Sequence, residues 1–92
     1  MIRSIRHKGL NRLYQDDDAR GVIHEHIEKL RDILARLDVI ITAEDMDIPA
    51  MQLHPLKGAR RGFWSVTVRA NWRVIFRVHN GEVQDVDYID YH

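Results

Sequence analysis

Phe63-Trp64-Ser65-Val66-Thr67-Val68-Arg69-Ala70-Asn71-Trp72-Arg73-Val74-Ile75-Phe76-Arg77-Val78 is the stretch that decides the fold. Trp64, Val66 and Val68 alternate with Phe63, Ser65, Thr67 and Arg69; Trp72, Val74, Phe76 and Val78 alternate with Arg73, Ile75 and Arg77. A period of two is that of a half-buried strand, so the stretch predicts two antiparallel strands with one apolar face. A turn at Arg69-Ala70-Asn71 sets Val68 opposite Trp72 and Thr67 opposite Arg73, because directly opposed residues share a face.

Downstream, the turn at Asn80-Gly81 fixes the register of a further strand. A two-residue turn sets Asp85 opposite Phe76 and Asp87 opposite Val74, which makes a poor core. A three-residue loop, Asn80-Gly81-Glu82, instead pairs Phe76 with Val86, Val74 with Tyr88 and Arg77 with Asp85. The second register is the expectation. The face away from the core then collects Phe63, Ser65, Thr67, Arg73, Arg77, Ile89 and Tyr91.

The apolar face must meet another layer, and the first half of the chain supplies it. Between Ala19 and Val39 the residues Val22, Ile23, Ile27, Leu30, Ile33, Leu34 and Leu37 recur at steps of three and four, which predicts one long helix with an apolar stripe. His24, Glu25, Glu28, Arg31, Asp32 and Arg36 read as its solvated side. His24 and His26 are two steps apart on that helix, so their rings diverge and do not share a metal ion. Leu10, Leu13 and Tyr14 predict a short helix over about 8–14, and Ile2 and Ile5 a short edge strand over 1–6. Asp16-Asp17-Asp18 is either a solvated loop or negative charge at the N-terminus of the long helix. Thr42 and Asp45 have capping-box spacing for a further short turn. Met51-Gln52-Leu53 reads as a short strand, and 54–62 as a loop broken by Pro55, Gly58 and Gly62.

The chain has 92 residues, enough for one domain with one modest core. With 45% hydrophobic and 30% charged residues it reads as soluble and globular, and no apolar run approaches the ~20 residues of a membrane span. The charged start, Met1 to Lys8, has no apolar segment after it and does not read as a secretory signal. There is no cysteine, which excludes disulfides and thiolate chemistry and agrees with a cytoplasmic protein.

The 14 basic and 14 acidic side chains balance, but unevenly along the chain. Between Ile48 and Gly81 there is no Asp or Glu, while Lys57, Arg60, Arg61, Arg69, Arg73 and Arg77 all fall there. A neutral protein with its positive charge gathered in one part is built for a localised polyanion. Arg73, on a central strand between two core anchors, suits bidentate phosphate contact; the other reading is an arginine paired with Asp85, Asp87 or Asp90. His54 lies in the basic loop three residues before Lys57, and histidine exchanges protons near neutral pH. Either residue alone also reads as ordinary loop surface. Asp90 and His92 have no further ligand cluster, so no metal is expected.

Leu53-His54-Pro55-Leu56-Lys57-Gly58, Trp64 to Arg69, Asn71-Trp72-Arg73 and the terminal Asp90-Tyr91-His92, with Met1-Ile2-Arg3-Ser4 and His7-Lys8-Gly9-Leu10, together resemble the HigB toxins of the RelE/ParE superfamily. Asn-Trp-Arg alone occurs in other branches and points only to the fold. The resemblance implies a compact α+β fold of the RelE/ParE type, N-terminal helices packed on one face of a mainly antiparallel β-sheet. It implies a toxin that cuts translated mRNA on the 70S ribosome, with no cofactor, and that is neutralised by a helix-turn-helix antitoxin of the HigA type through which operator DNA is bound. His54, Lys57, Arg73, Asp90, Tyr91 and His92 match the family's catalytic positions, and Arg60, Arg61, Arg69 and Arg77 are expected on RNA. The chemistry implied is attack by a ribose 2′-hydroxyl on its own 3′ phosphate. A ParE-like toxin that binds gyrase, or an inactive relic that binds RNA or a partner, stand as alternatives.

Overall fold

The structure, a computed structural model, describes residues 1–92. Helices α1 (Lys8–Asp16) and α2 (Ile27–Leu37) precede four strands, β1 (His54–Pro55), β2 (Trp64–Arg69), β3 (Trp72–His79) and β4 (Glu82–Asp90). The strands form one antiparallel sheet in the order β1-β2-β3-β4, with the helices on one face. The N-terminal segment extends the sheet beyond β4. It runs parallel to that strand through bridges at Ile2–Val83 and Ile5–Val86, as the edge-strand expectation required.

Leu30, Ile33, Leu34 and Leu37 of α2 lie buried against Val66, Val74, Phe76, Val83, Val86 and Tyr88 of the sheet, and Leu10 and Leu13 of α1 close the same core. Each of these larger aliphatic side chains contributes about 1.5–3 kcal/mol through burial. The predicted long helix is shorter than its stripe. Residues 19–23 form a turn, His24–His26 a 3-10 turn, and the α-helix begins only at Ile27. The cause is visible at Gly21: its backbone packs directly on that of Gly9 in α1, so close that a Cβ on either would collide with the other's backbone. The aspartate run is therefore remote from the start of α2. Asp17 caps α1 in the left-handed region (φ 54°) and reaches Arg31 of α2 at 2.8 Å, while Asp18 pairs with Arg20 at 2.7 Å. The Arg20 guanidinium and backbone N–H hold the Asp18 carboxyl well below the usual carboxylate range.

Two expectations about strands are corrected. Met51–Leu53 is not a strand, because Gln52 adopts φ 50°; the Met51 carbonyl accepts from Thr67 N–H at 2.9 Å, but the strand itself starts at His54. Both hairpins turn on two residues, not three. Asn80 (φ 51°) and Gly81 (φ 77°) have the paired positive φ of a type I′ turn, which follows the strand twist. The two-residue register holds only near that turn, with Arg77 opposite Gln84 and Val78 opposite Val83. Asp85 (φ 54°) then enters as an extra residue, so that it and Val86 both stand across from Phe76. Beyond the bulge the expected pairs return, Val74 with Tyr88 and Arg73 with Ile89. Likewise Thr67 opposes Arg73 as expected, but Val68 is bulged and Trp72 opposes Arg69.

The short turn after α2 forms at Ala43–Met46, where Asp45 Oδ2 accepts from the N–H groups of Ile41 (2.9 Å) and Thr42 (3.1 Å). No helix is long and apolar enough to cross a membrane.

Candidate active site

Arg73 alternates with Trp72 and Val74, which face the helices, so its side chain leaves the opposite face of the sheet. Its Nη1 donates to the carbonyls of Ala70 and Trp72, the latter at 3.1 Å. Ala70 holds φ 52°, an uncommon conformation for alanine, which costs of the order of 1–2 kcal/mol. That turn supplies the carbonyl which anchors the guanidinium. The pairing with Asp85, Asp87 or Asp90 is not formed, so no carboxylate competes for the guanidinium and its remaining donors are free for a ligand.

The face around Arg73 is closed at its centre, where Ser65 and Ile75 are buried, contrary to a fully open surface. His54 stands directly opposite Ser65, Ser65 opposite Ile75, and Ile75 opposite Asp87, a row across all four strands. The next row is Thr67, Arg73 and Ile89. His54 is thus two strand spacings, roughly 10 Å, from the strand that carries Arg73. It is exposed on an edge strand whose partner residue Pro55 has no N–H to offer.

After β1 the chain crosses a loop with a 3-10 turn at Gly58–Arg60, entered and left through Gly58 (φ 66°) and Gly62 (φ 94°). The loop brings the Arg60 guanidinium over the Tyr91 ring, 5.8 Å from its centroid. This contact joins the basic loop to the C-terminus, which the sequence does not show. Tyr91 N–H donates to the carbonyl of Asn71 at 2.8 Å, so the last residues are held to the Ala70-Asn71 turn. His92 Nε2 lies 3.3 Å from Asp90 Oδ2, and its ring stays accessible.

Arg73, Tyr91, Asp90 and His92 are thus gathered at one end of the sheet, with Arg60 above and the exposed Lys57 and Arg61 on the same loop. Arg69 is not with them: it opposes Trp72 on the helix side, close enough to His26 to oppose its protonation. Asp90 also opposes Trp72, and reaches the site by its contact with His92. Arg77 shares the face of Arg73 but lies four residues along β3.

Behind the site is a cluster that sequence reasoning missed. His26, read from the sequence only as diverging from His24, is buried; its Nδ1 is 2.6 Å from Tyr88 Oη, and its ring meets Trp72 edge-on at 5.8 Å. Trp72 and Tyr88 rings lie 4.7 Å apart, and His7 packs edge-on against Tyr88 while its Nδ1 accepts from Leu10 N–H at the start of α1. Burial and the nearby Arg69 charge lower the His26 pKa, and burial raises that of Tyr88. His26 stands four residues before Leu30, on the apolar stripe, and that spacing is the signal for it.

A concavity of about 490 Å³ is lined by Ile41, Trp64 and Val78 near the Asn80-Gly81 turn, away from these residues. The cationic site is a surface, suited to a polymer laid across it. No three His, Asp or Glu side chains meet in a cluster that could hold a metal ion.

The chain matches, over residues 3–92, the family model described as the RelE-like toxin of type II toxin-antitoxin system HigB. It is 40% identical to the Endoribonuclease HigB of Proteus vulgaris over 92 residues, covering 100% of both chains. Its fold is similar to that of the YoeB dimer from Staphylococcus aureus (TM-score 0.59, 14% identity, 100% of this chain and 93% of that one). It is also similar to a YafQ mutant from E. coli (TM-score 0.57, 20% identity, 92% of this chain and 88% of that one). A family match over residues 3–92 and a relative 40% identical along its whole length lead to one conclusion: the chain belongs to the HigB-like family of RelE-like toxins of type II toxin-antitoxin systems, and so has an antitoxin for a partner.

Proposed function

We propose that the chain is an endoribonuclease that cuts translated mRNA on the ribosome, without metal or cofactor, in the cytoplasm. The observation that carries this reading is Arg73: a guanidinium fixed by two backbone carbonyls, free of any carboxylate, beside a C-terminus held by pairing. In the proposed step a ribose 2′-hydroxyl gives its proton to a base, O2′ bonds to the adjacent 3′ phosphorus, and the P–O5′ bond breaks. The 5′ oxygen takes a proton from an acid, which leaves a 2′,3′-cyclic phosphate and a 5′-hydroxyl. His54 and His92 share the roles of base and acid. Arg73 and Lys57 stabilise the charge on the pentavalent phosphorus, Asp90 orients His92, and Tyr91, under Arg60, stacks on or aligns a base. Arg61 and Arg77 contact the RNA backbone; Arg69 does so only where RNA passes the rim of the sheet.

The partner is proposed to be a HigA-type helix-turn-helix antitoxin, with operator DNA bound through it. Primer extension on translated and untranslated copies of one message, after brief induction, tests the reading. Cuts confined to the translated copy are expected. Arrested growth with an uncut message would overturn it and direct attention to gyrase.

A further inference from the structure

We infer that Arg6, Phe63 and Arg77 form a second RNA-backbone site, a phosphate cradle some 13 Å along β3 from Arg73, four strand residues away. The inference rests on the ribonuclease reading for its ligand and on a separate cluster for its geometry.

Three segments distant in sequence meet there. The guanidiniums of Arg6 and Arg77 lie over the Phe63 ring, 5.5 Å and 5.7 Å from its centroid. Both also approach one carboxylate: Arg6 Nε is 3.5 Å from Asp85 Oδ1 and Arg77 Nη1 is 3.5 Å from Asp85 Oδ2. Asp85 is the bulged residue of β4 at φ 54°, and its N–H donates to Ser4 Oγ at 2.8 Å, which ties it to the N-terminal segment. The bulge therefore places one carboxylate between two arginines.

The charge does not cancel, since two guanidiniums share one carboxylate and a net positive charge remains. The contacts are long for charge-assisted hydrogen bonds, which run ~2.7–2.9 Å, so most of the donors on both forks are free. Arg6 and Arg77 side chains are 56% and 52% exposed while Asp85 is 27% exposed, so the positive ends face water and the negative one lies beneath. The aromatic ring under them limits their motion and keeps the forks together. Paired guanidiniums in this form match a phosphodiester.

Arg73 and Arg77 leave the same face of one strand, with Ile75 buried between them. A single strand of RNA held at Arg73 can run along that face to the cradle. The phosphate can belong to the message or to ribosomal RNA.

Binding of the intact protein to an uncuttable 2′-O-methyl oligonucleotide, and to ribosomes without message, should be measured across a salt series. Arg6→Gln and Arg77→Gln are each expected to weaken binding roughly ten- to hundredfold. Each should also reduce the salt slope on single-stranded RNA by about 0.7. Loss on the oligonucleotide assigns the cradle to the message, and loss on ribosomes alone assigns it to ribosomal RNA. Asp85→Asn keeps a residue that tolerates the left-handed region and removes the competing charge, so it should tighten binding. If folded Arg variants bind both probes as wild type does, if Asp85→Asn weakens binding, or if the wild type binds neither probe, the cradle is only a clamp on the N-terminal segment. A wild type that binds through Arg77 yet never cuts would instead sink the ribonuclease reading and leave the cradle standing.

Discussion

His26 Nδ1 and Tyr88 Oη meet at 2.6 Å and join the turn before α2 to the middle of β4. The bond lies behind the strand that carries Arg73, because Tyr88 opposes Val74. Tyr88→Phe keeps the ring packed on Trp72 but removes the partner of a buried imidazole nitrogen. A buried polar group left unpaired costs about 1–3 kcal/mol. Urea denaturation of the variant should show a loss in that range; a change within a few tenths would mean that the bond carries no net stability.

The same pair makes stability depend on pH. Burial holds the folded-state pKa of His26 below its unfolded value of about 6.5. The unfolded chain therefore binds the proton first, and the contribution of neutral His26 is complete above that unfolded value. It is lost as pH falls from there toward the folded pKa. Wild type should lose more stability between pH 8 and pH 5 than His26→Gln does, measured by urea midpoints at both. Equal losses would place the dependence on another group.

Gly9 and Gly21 are in backbone contact, and neither leaves space for a Cβ. Gly9→Ala or Gly21→Ala must separate α1 from the turn that leads to α2, since the atoms in the way are main chain. Overpacking of this kind costs about 1–3 kcal/mol or more. A lowered melting temperature in both variants is expected, and an unshifted one would show that the contact opens freely.

The period-two stretch at 63–78 made the sheet legible, and its apolar face is the one that meets α2. The stripe from Leu30 to Leu37 likewise identifies the helix, but the periodicity continues upstream of its true start at Ile27. Nothing in a local pattern says that Gly21 is occupied by Gly9, so tertiary contact ended the helix where periodicity continued. The two hairpins show a related limit. Burial demands the pairing of Val74 with Tyr88, which holds, yet the sequence points to an extra residue in the turn and the structure has it at Asp85. The candidate site is legible as residue types and only partly as geometry. Arg73 and the terminal Tyr91-His92 could be named, whereas the reach of Arg60 to Tyr91 depends on the path of the 56–62 loop, which no spacing encodes.

Arg73 gives the sharpest test of the proposed chemistry. Its Nη1 is committed to the carbonyls of Ala70 and Trp72, so the fork is oriented before any ligand arrives. A lysine keeps the charge but has a single nitrogen, which must choose between those carbonyls and a phosphate. Arg73→Lys should therefore fold with a stability change of about 1 kcal/mol or less, the value of one ordinary hydrogen bond. It should cut translated mRNA about 10²–10³-fold more slowly, the usual cost of losing one donor to a developing anion. His92→Gln, which keeps a polar side chain beside Asp90 without a transferable proton, should fall by about 10²–10⁴. Single-turnover cleavage on a translating message, with folding checked by near-ultraviolet circular dichroism of Trp64 and Trp72, separates the two effects. Wild-type cutting by Arg73→Lys would leave the fork without a role in the transition state and make charge alone sufficient.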